Sequence, residues 1–289
     1  MLFFLKLIAR LPDSALYFLA NILAWILRIV IRYRRTEVEK NIFRAFPEKS
    51  ALERLVIEKG FYLHIADVAV EILMLSRMSP GQLLKRVEIS GLEHLSACVE
   101  QKQSMLLLSA HQGNWEWMLT ALSVSLPCPL DALYRPLHNA KMEHFFLATR
   151  ARFGASLIPA EKAARAILKQ RKEVRAFGII GDQNPRRKDD KYWVRFMGIE
   201  TPVAVGAERI AKLTGYPVFY VATERVARGK YRLVITVLAQ APYAGEGEIS
   251  QRYMSVVEVQ VRNQPESWMW SHHRWRYQRE ACPQSSLVK

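Results

Sequence analysis

"SMLLLSAHQGNWEW", residues 104–117, decides how this chain folds. The run 105–108 is wholly apolar and of strand length. Such a run, bounded by polar residues, predicts a strand buried on both faces. Asn114 is a good helix cap, and Gly113 lets the backbone turn tightly. Glu116 then falls in the first helical turn, where the helix dipole favours its charge. The stretch reads strand, turn, helix, with His111 at the carboxyl end of the strand. In open α/β sheets that is where ligands bind.

Working outward, the same alternation recurs. "PLDALY" (129–134), "VRAFGII" (174–180), "PVFYVATE" (217–224) and "YRLVITVL" (231–238) have strand length and composition. Helical patterns lie between them near 114–125, 139–152, 160–170 and 202–214, and a last one runs over about 249–263. The sequence predicts an α/β fold: a mixed, largely parallel central sheet flanked by helices. Gly229-Lys230 suits a hairpin turn between the last two strands. Residues 36–76 read as helical with a break at Phe46-Pro47-Glu48, after which Ser50 caps the second helix with Glu53 as its capping box.

Composition narrows the classes. Of 289 residues half are apolar, which excludes a disordered chain. Lys and Arg number 42 against 27 acids, a net charge of +15, so a polyanionic partner is expected. Cys98, Cys128 and Cys282 are scattered and lack metal-ligand spacing, which fits reduced thiols of a cytosol-facing protein. Basic residues are spread through 141–175 and 186–195 without a zinc-finger or RNA-binding signature, so no nucleic acid is expected. An anionic membrane fits better.

The N-terminus supports that choice. Residues 14–31, "SALYFLANILAWILRIVI", are apolar apart from Ser14, Asn21 and Arg28. As a helix they reach about 27 Å, just short of the ~30 Å hydrocarbon core. Arg32, Arg34 and Arg35 follow, and basic flanks tend to stay in the cytoplasm. A signal peptide and a buried core helix are the rivals. Arg28 equally suits a helix lying in the interface, so spanning and lying both stay open. Residues 1–32 are read as a membrane anchor and 33–289 as one catalytic domain.

His111 and Glu116, five apart, sit on different sides of a regular helix. They meet only if His111 is in the loop and Glu116 on the helix, as the inferred turn allows. A carboxylate bonded to one imidazole nitrogen fixes the tautomer and stabilises the cation formed at the other. That is the base half of a serine-protease-like relay without a serine, so the nucleophile is a substrate hydroxyl. The plain alternative is a helix cap beside a polar loop histidine. No His-Glu-x-x-His pattern or Cys pair occurs, so no metal site is expected.

"HQGNWEW" (111–117) resembles the signature of the lysophospholipid acyltransferase superfamily: His, four residues, then Asp or Glu. More narrowly it resembles the bacterial lipid A late acyltransferases. Other stretches agree in order: "RRTEVEKNIFRAFPE" (34–48), "YRPLHN" (134–139), "GDQNP" (181–185), "RFMGIETP" (195–202) and "PESWMWSHHRW" (265–275). The resemblance implies a glycerolipid acyltransferase-like fold and transfer of a fatty acyl chain from an acyl-carrier protein, or an acyl-CoA, to a hydroxyl of a lipid A precursor. No cofactor is implied beyond that donor, and the inner membrane, facing the cytoplasm, is the implied location.

Carried over by motif, His111 is the general base and Glu116 its orienting partner. Arg135 is the cation for a phosphate or for the donor, and Asp182 and Gln183 belong to a block near the acceptor. Donors near the Gly113-Asn114 turn are expected to bind the oxyanion. The plain alternatives are a surface ion pair for Arg135 and a strand-end turn for Asp182. Trp268, Trp270 and Trp275 suit packing or a headgroup belt. After Asp-Gln this chain carries "RRKDDKYW" and then Phe196-Met197-Gly198, where the enterobacterial pattern has small residues and a Phe-Phe-Gly segment. That departure bears on the acceptor: a lysophospholipid, an amino-acid lipid or another glycolipid stays open, as does a membrane-anchored basic lipid-binding protein.

Overall fold

A computed structural model describes residues 7–137, 139–186, 189–277 and 279. A seven-stranded sheet has the order β1-β9-β8-β2-β5-β3-β4. Its strands are β1 (Val87–Ser90), β2 (Met105–Ser109), β3 (Leu130–Tyr134), β4 (Ser156–Pro159), β5 (Ala176–Ile180), β8 (Val218–Ala227) and β9 (Lys230–Ala239). Every neighbouring pair is parallel except β8 and β9, which form an antiparallel hairpin. The hairpin turn is Arg228-Gly229, one residue earlier than expected, because Gly229 takes the positive φ of +71°. A separate two-stranded hairpin, β6 (Lys191–Phe196) and β7 (Ile199–Ala204), lies outside this sheet.

β2 is the central strand and is buried along its length. Its side chains alternate between two cores, as the period of a strand dictates. Leu106 and Leu108 join Phe61, Phe177, Trp268 and Trp270 on one face; Met105 and Leu107 join Trp117, Phe219 and Leu233 on the other. The wholly apolar run is what two-sided burial requires.

Helices cover both faces. α1 (Asp13–Trp25), continued by a wider turn over Ile26–Val30, packs on α3 (Ala51–Leu75), and α2 (Arg35–Ala45) lies between them in sequence. α3 starts at the expected capping box: the Ser50 N–H donates to Glu53 Oε2 at 2.8 Å, and the Glu53 N–H to Ser50 Oγ at 3.2 Å. α4 (Pro80–Leu84), α5 (Leu92–Glu100), α6 (Trp115–Ser125), α7 (Ala140–Ala151), α8 (Ala163–Lys169), α9 (Gly206–Thr214) and α10 (Glu248–Asn263) follow. α9 starts at Gly206 because residues expected at its beginning belong to β7.

The stretch Asp13–Val30 has a mean hydropathy of 1.5 and is, among the described residues, the one helix long and apolar enough to cross a membrane. Leu16, Ala20 and Ala24 on it are buried against the domain. The three carboxyl-terminal tryptophans are buried as well, which overturns the headgroup belt. Their indole N–H groups donate inward: Trp268 to Asp182, Trp270 to the Pro265 carbonyl and Trp275 to Thr201 Oγ1. Cys98 and Cys128 are buried free thiols, and burial pushes both up in pKa; Cys282 lies outside the described residues.

Candidate active site

The site follows from strand register. β2 and β5 run parallel with Ser109 opposite Ile180. Two residues further along each strand come His111 and Asp182, side by side at the carboxyl edge. His111 Nδ1 lies 2.7 Å from Asp182 Oδ1, and the His111 backbone N–H donates to Asp182 Oδ2 at 3.1 Å. The Trp268 indole N–H donates to the same Oδ2 at 2.8 Å. Burial alone drives the Asp182 carboxyl up, but the His111 ring and these hydrogen bonds outweigh it and hold it below its ordinary value. A carboxylate is an acceptor only, so in the neutral ring the proton sits on Nδ1 and Nε2 is the acceptor. Among the described residues no protein group bonds Nε2. The ring sits edge-on to Trp115, with centroids 5.4 Å apart.

The expected pairing of His111 with Glu116 is therefore corrected. Glu116 is buried in the first turn of α6 and grips Arg150 of α7 through both oxygens, at 2.7 and 2.9 Å. A bidentate guanidinium satisfies the carboxylate more fully than an imidazole does. Arg150 is raised in pKa: burial opposes its charge, and Glu116 more than compensates. Its guanidinium also lies 5.4 Å from the Phe146 ring. The sequence contained a signal for Asp182 as base partner. "LLLSAH" and "FGIIGD" place His and Asp at equal offsets from two buried strands, and parallel pairing in that register brings them together.

The turn carrying His111 is held from two directions. From α3, His64 bonds the Gly113 carbonyl through Nε2 at 3.1 Å, and Glu71 Oε2 accepts from Asn114 Nδ2 at 2.7 Å. Asn114 Oδ1 caps α6 by accepting from the Trp117 N–H at 2.9 Å. From the carboxyl-terminal segment, the Ser267 carbonyl accepts the Gly113 N–H, and the Met269 N–H donates to the His111 carbonyl. The Gly113 N–H is thus occupied by the Ser267 carbonyl, and Asn114 Nδ2 spends one of its two N–H groups on Glu71. Gly113 itself is required: its φ is +58°, and a Cβ there would fall 2.7 Å from the Thr223 carbonyl oxygen.

Two further residues share this rim. Arg135, which follows β3, is half exposed, its nearest acid Asp189 at 4.0 Å. Gln183 follows Asp182 and is half-buried. In the stretch 186–195, Arg186 pairs with Glu161; Asp190 pairs with Arg209, while Arg187 and Lys188 lie outside the described residues. Part of the basic charge in 141–175 is structural: Arg150 serves Glu116 and Arg175 serves Asp131. Among the described residues no cluster of three His, Cys, Asp or Glu side chains is placed to hold a metal ion.

Comparison with known proteins identifies the family. The family profile described as bacterial lipid A biosynthesis acyltransferase matches residues 1–277. The lipid A biosynthesis palmitoleoyltransferase of Escherichia coli is 24% identical over 268 residues, covering 92% of this chain and 87% of that protein. The lauroyltransferase of the same organism is 23% identical over 281 residues, covering 96% and 91%. A lipid A biosynthesis acyltransferase of Haemophilus influenzae is 25% identical over 275 residues, covering 93% and 84%. With its α/β sheet, its rim histidine and a match along nearly its whole length, this chain belongs to the bacterial lipid A biosynthesis acyltransferases.

Proposed function

We propose that this O-acyltransferase moves a fatty acyl chain from an acyl-carrier protein or acyl-CoA thioester to a hydroxyl of a lipid A precursor, with His111 as general base. The observation that carries the reading is the 2.7 Å bond from His111 Nδ1 to buried Asp182, which leaves Nε2 as an acceptor at the sheet rim. Nε2 takes the proton of the acceptor hydroxyl as its oxygen attacks the thioester carbonyl carbon. Asp182 holds the ring and balances the imidazolium, the role first expected of Glu116. Collapse of the tetrahedral intermediate breaks the C–S bond, and the imidazolium returns its proton to the departing thiolate.

Charge developing on the carbonyl oxygen needs donors. The N–H groups of Trp115 and Glu116, at the start of α6, are those a helix leaves without internal partners, and they take that role in place of Gly113. Glu116 fixes Arg150 as a cation beside the site. Arg135 meets a phosphate of the acceptor or donor, and Gln183 lines the acceptor side. The apolar N-terminal helix holds residues 33–289 at the cytoplasmic face of the inner membrane, and the net charge of +15 favours acidic carrier and anionic lipid alike.

The test is purified enzyme with acyl-carrier-protein or CoA thioester and lipid A precursor. Product is expected, with His111→Ala lowering turnover by at least ~10²-fold. Near wild-type turnover in that variant refutes the base assignment. Mass spectrometry of lipid A from cells with and without the protein reports the acceptor; an unchanged profile refutes it.

A further inference from the structure

The apolar helix α1 is docked along its whole length. Asp13 pairs with Arg77, at 2.7 Å, and with Arg86. Tyr17 donates to Glu71 of α3 at 3.0 Å, Asn21 accepts from Arg228 at 2.8 Å, and Arg28 pairs with Glu58 at 2.9 Å. Positions 13, 17, 21 and 28 share one helix face, and every polar group on it is bonded to the domain. The opposite face is apolar and bare: Phe18 is 64% and Trp25 59% exposed, with Ile22 and Ile29 in the same stripe.

α3 carries a second bare stripe. Leu52, Val56, Lys59 and Leu63 recur at i, i+4, i+7 and i+11, with Leu52 70% and Val56 63% exposed. Ala66, Val70 and Met74 continue the same side of α3, and there they are buried in one cluster with Leu16, Ala20 and Ala24 of α1. α1 thus covers the far half of a side whose near half is uncovered. An exposed helix side in a water-soluble domain is ordinarily polar. This one is apolar with a single lysine, whose stem can lie along lipid while its ammonium reaches headgroups.

We propose that α1 lies in the plane of the membrane, and that one leaflet contacts the chain through the joint face of α1 and the near half of α3. The inference rests on the reading that the enzyme works at a membrane. A crossing by α1 is opposed by its partners. Glu58 lies on α3 and Arg77 two residues past its end, so about 26 Å of helix separates the partners that hold the two ends, close to the ~30 Å hydrocarbon thickness. If α1 crossed, α3 and the β8–β9 turn would cross with it. Asp67, Glu71, Arg225 and Arg228 would then sit at mid-depth, and the sheet's backbone would meet hydrocarbon. Lying flat leaves all of these on the cytoplasmic side.

The experiment uses the full chain with Cys98, Cys128 and Cys282 replaced by alanine, added to phosphatidylethanolamine–phosphatidylglycerol vesicles at about three to one. Single cysteines at Phe18, Ile22, Ile29 and Val56 carry an environment-sensitive fluorophore, and lipids spin-labelled at shallow or deep acyl positions quench it. Flotation with the vesicles, one shared shallow depth for the three α1 probes and quenching at position 56 are expected. Leu52→Asp with Val56→Asp is expected to weaken vesicle partition about tenfold or more, each aliphatic side chain losing its burial in lipid. Flotation with the Ile22 probe at the bilayer centre, Phe18 and Ile29 in opposite leaflets and position 56 unquenched overturns the in-plane face and leaves membrane attachment standing. No flotation overturns both. Protection of the same probes without vesicles, with a doubled mass, assigns the face to a second copy of the chain and overturns the proposal.

Discussion

Asp182→Asn isolates the imidazole's tautomer from its placement. The native carboxylate accepts one bond on Oδ1, from His111 Nδ1, and two on Oδ2, from the His111 N–H and the Trp268 indole. Asparagine has one acceptor oxygen. Oriented toward the two donors it satisfies both, which turns its NH2 toward Nδ1. Nδ1 must then accept, the ring proton moves to Nε2, and the base is lost although no heavy atom need shift. Turning the amide over restores the tautomer but sets the NH2 against two donors, one of them in a fully buried site, which costs about 1–3 kcal/mol per unmade bond. The wrong-tautomer form therefore dominates. In the serine-protease relay the equivalent change lowers kcat about 10⁴-fold, and a fall of about 10³–10⁴ in kcat with little change in KM is expected here. Initial rates with acyl-carrier-protein thioester measure it, and nitrogen NMR of the histidine ring reads the tautomer directly. A variant keeping a tenth of native kcat, or one whose ring still carries its proton on Nδ1, refutes the reasoning.

Glu116→Gln leaves Asp182 and the tautomer alone but strips a buried guanidinium of its counter-charge. A stability loss of about 3–5 kcal/mol is expected in urea unfolding, and an unchanged midpoint refutes the structural weight given to this pair. Gly113→Ala forces a side chain into left-handed backbone against the Thr223 carbonyl; at least ~1–2 kcal/mol of stability and most of the turnover should be lost, and wild-type values for both refute the close approach. Burial and the nearby Arg225 hold His64 down to about 3. Because the unfolded chain binds that proton near 6.5, stability from neutral His64 is full above that pH and lost as pH falls, by about 2 kcal/mol at pH 5. Glu71, raised by burial, works in the opposite direction, so native chain is compared with His64→Gln, whose stability on going from pH 7 to pH 5 should fall by about 2 kcal/mol less than the native chain's; an equal change in both refutes it.

The parts of the fold legible in the sequence are those with strong local signals. β2 is an apolar run because it is buried on both faces, β8 is one over its first four residues for the same reason, and α3 announces its start through Ser50 and Glu53. The omissions have local causes. β1 and β4 are edge strands of four residues, and "SLIP" ends in proline, which reads as a break. β6 hides in a charged stretch because half its residues face outward. At the site, His111 was legible from its position after a strand, while its partner was marked only by an equal offset from a second strand, which needs the pairing register to become a contact. Glu116 is near in sequence, whereas Asp182 is brought near by the pairing of strands 71 residues apart. The tryptophan segment misleads for the same reason: amphipathic rings suit a headgroup belt equally well until long-range contacts show them turned inward toward Asp182 and Thr201.

That segment has a consequence for how the enzyme comes to life. Residues 267–269 lace onto residues 111–113 like the last stitch in a seam, and Trp268 supplies one of the bonds that hold Asp182 ionised. During synthesis the sheet and the apolar N-terminal helix leave the ribosome before the segment that orders the turn at residues 111–113. A chain ending before residue 265 is expected to lack turnover, because both the seam onto residues 111–113 and the bond that Trp268 gives Asp182 would be missing.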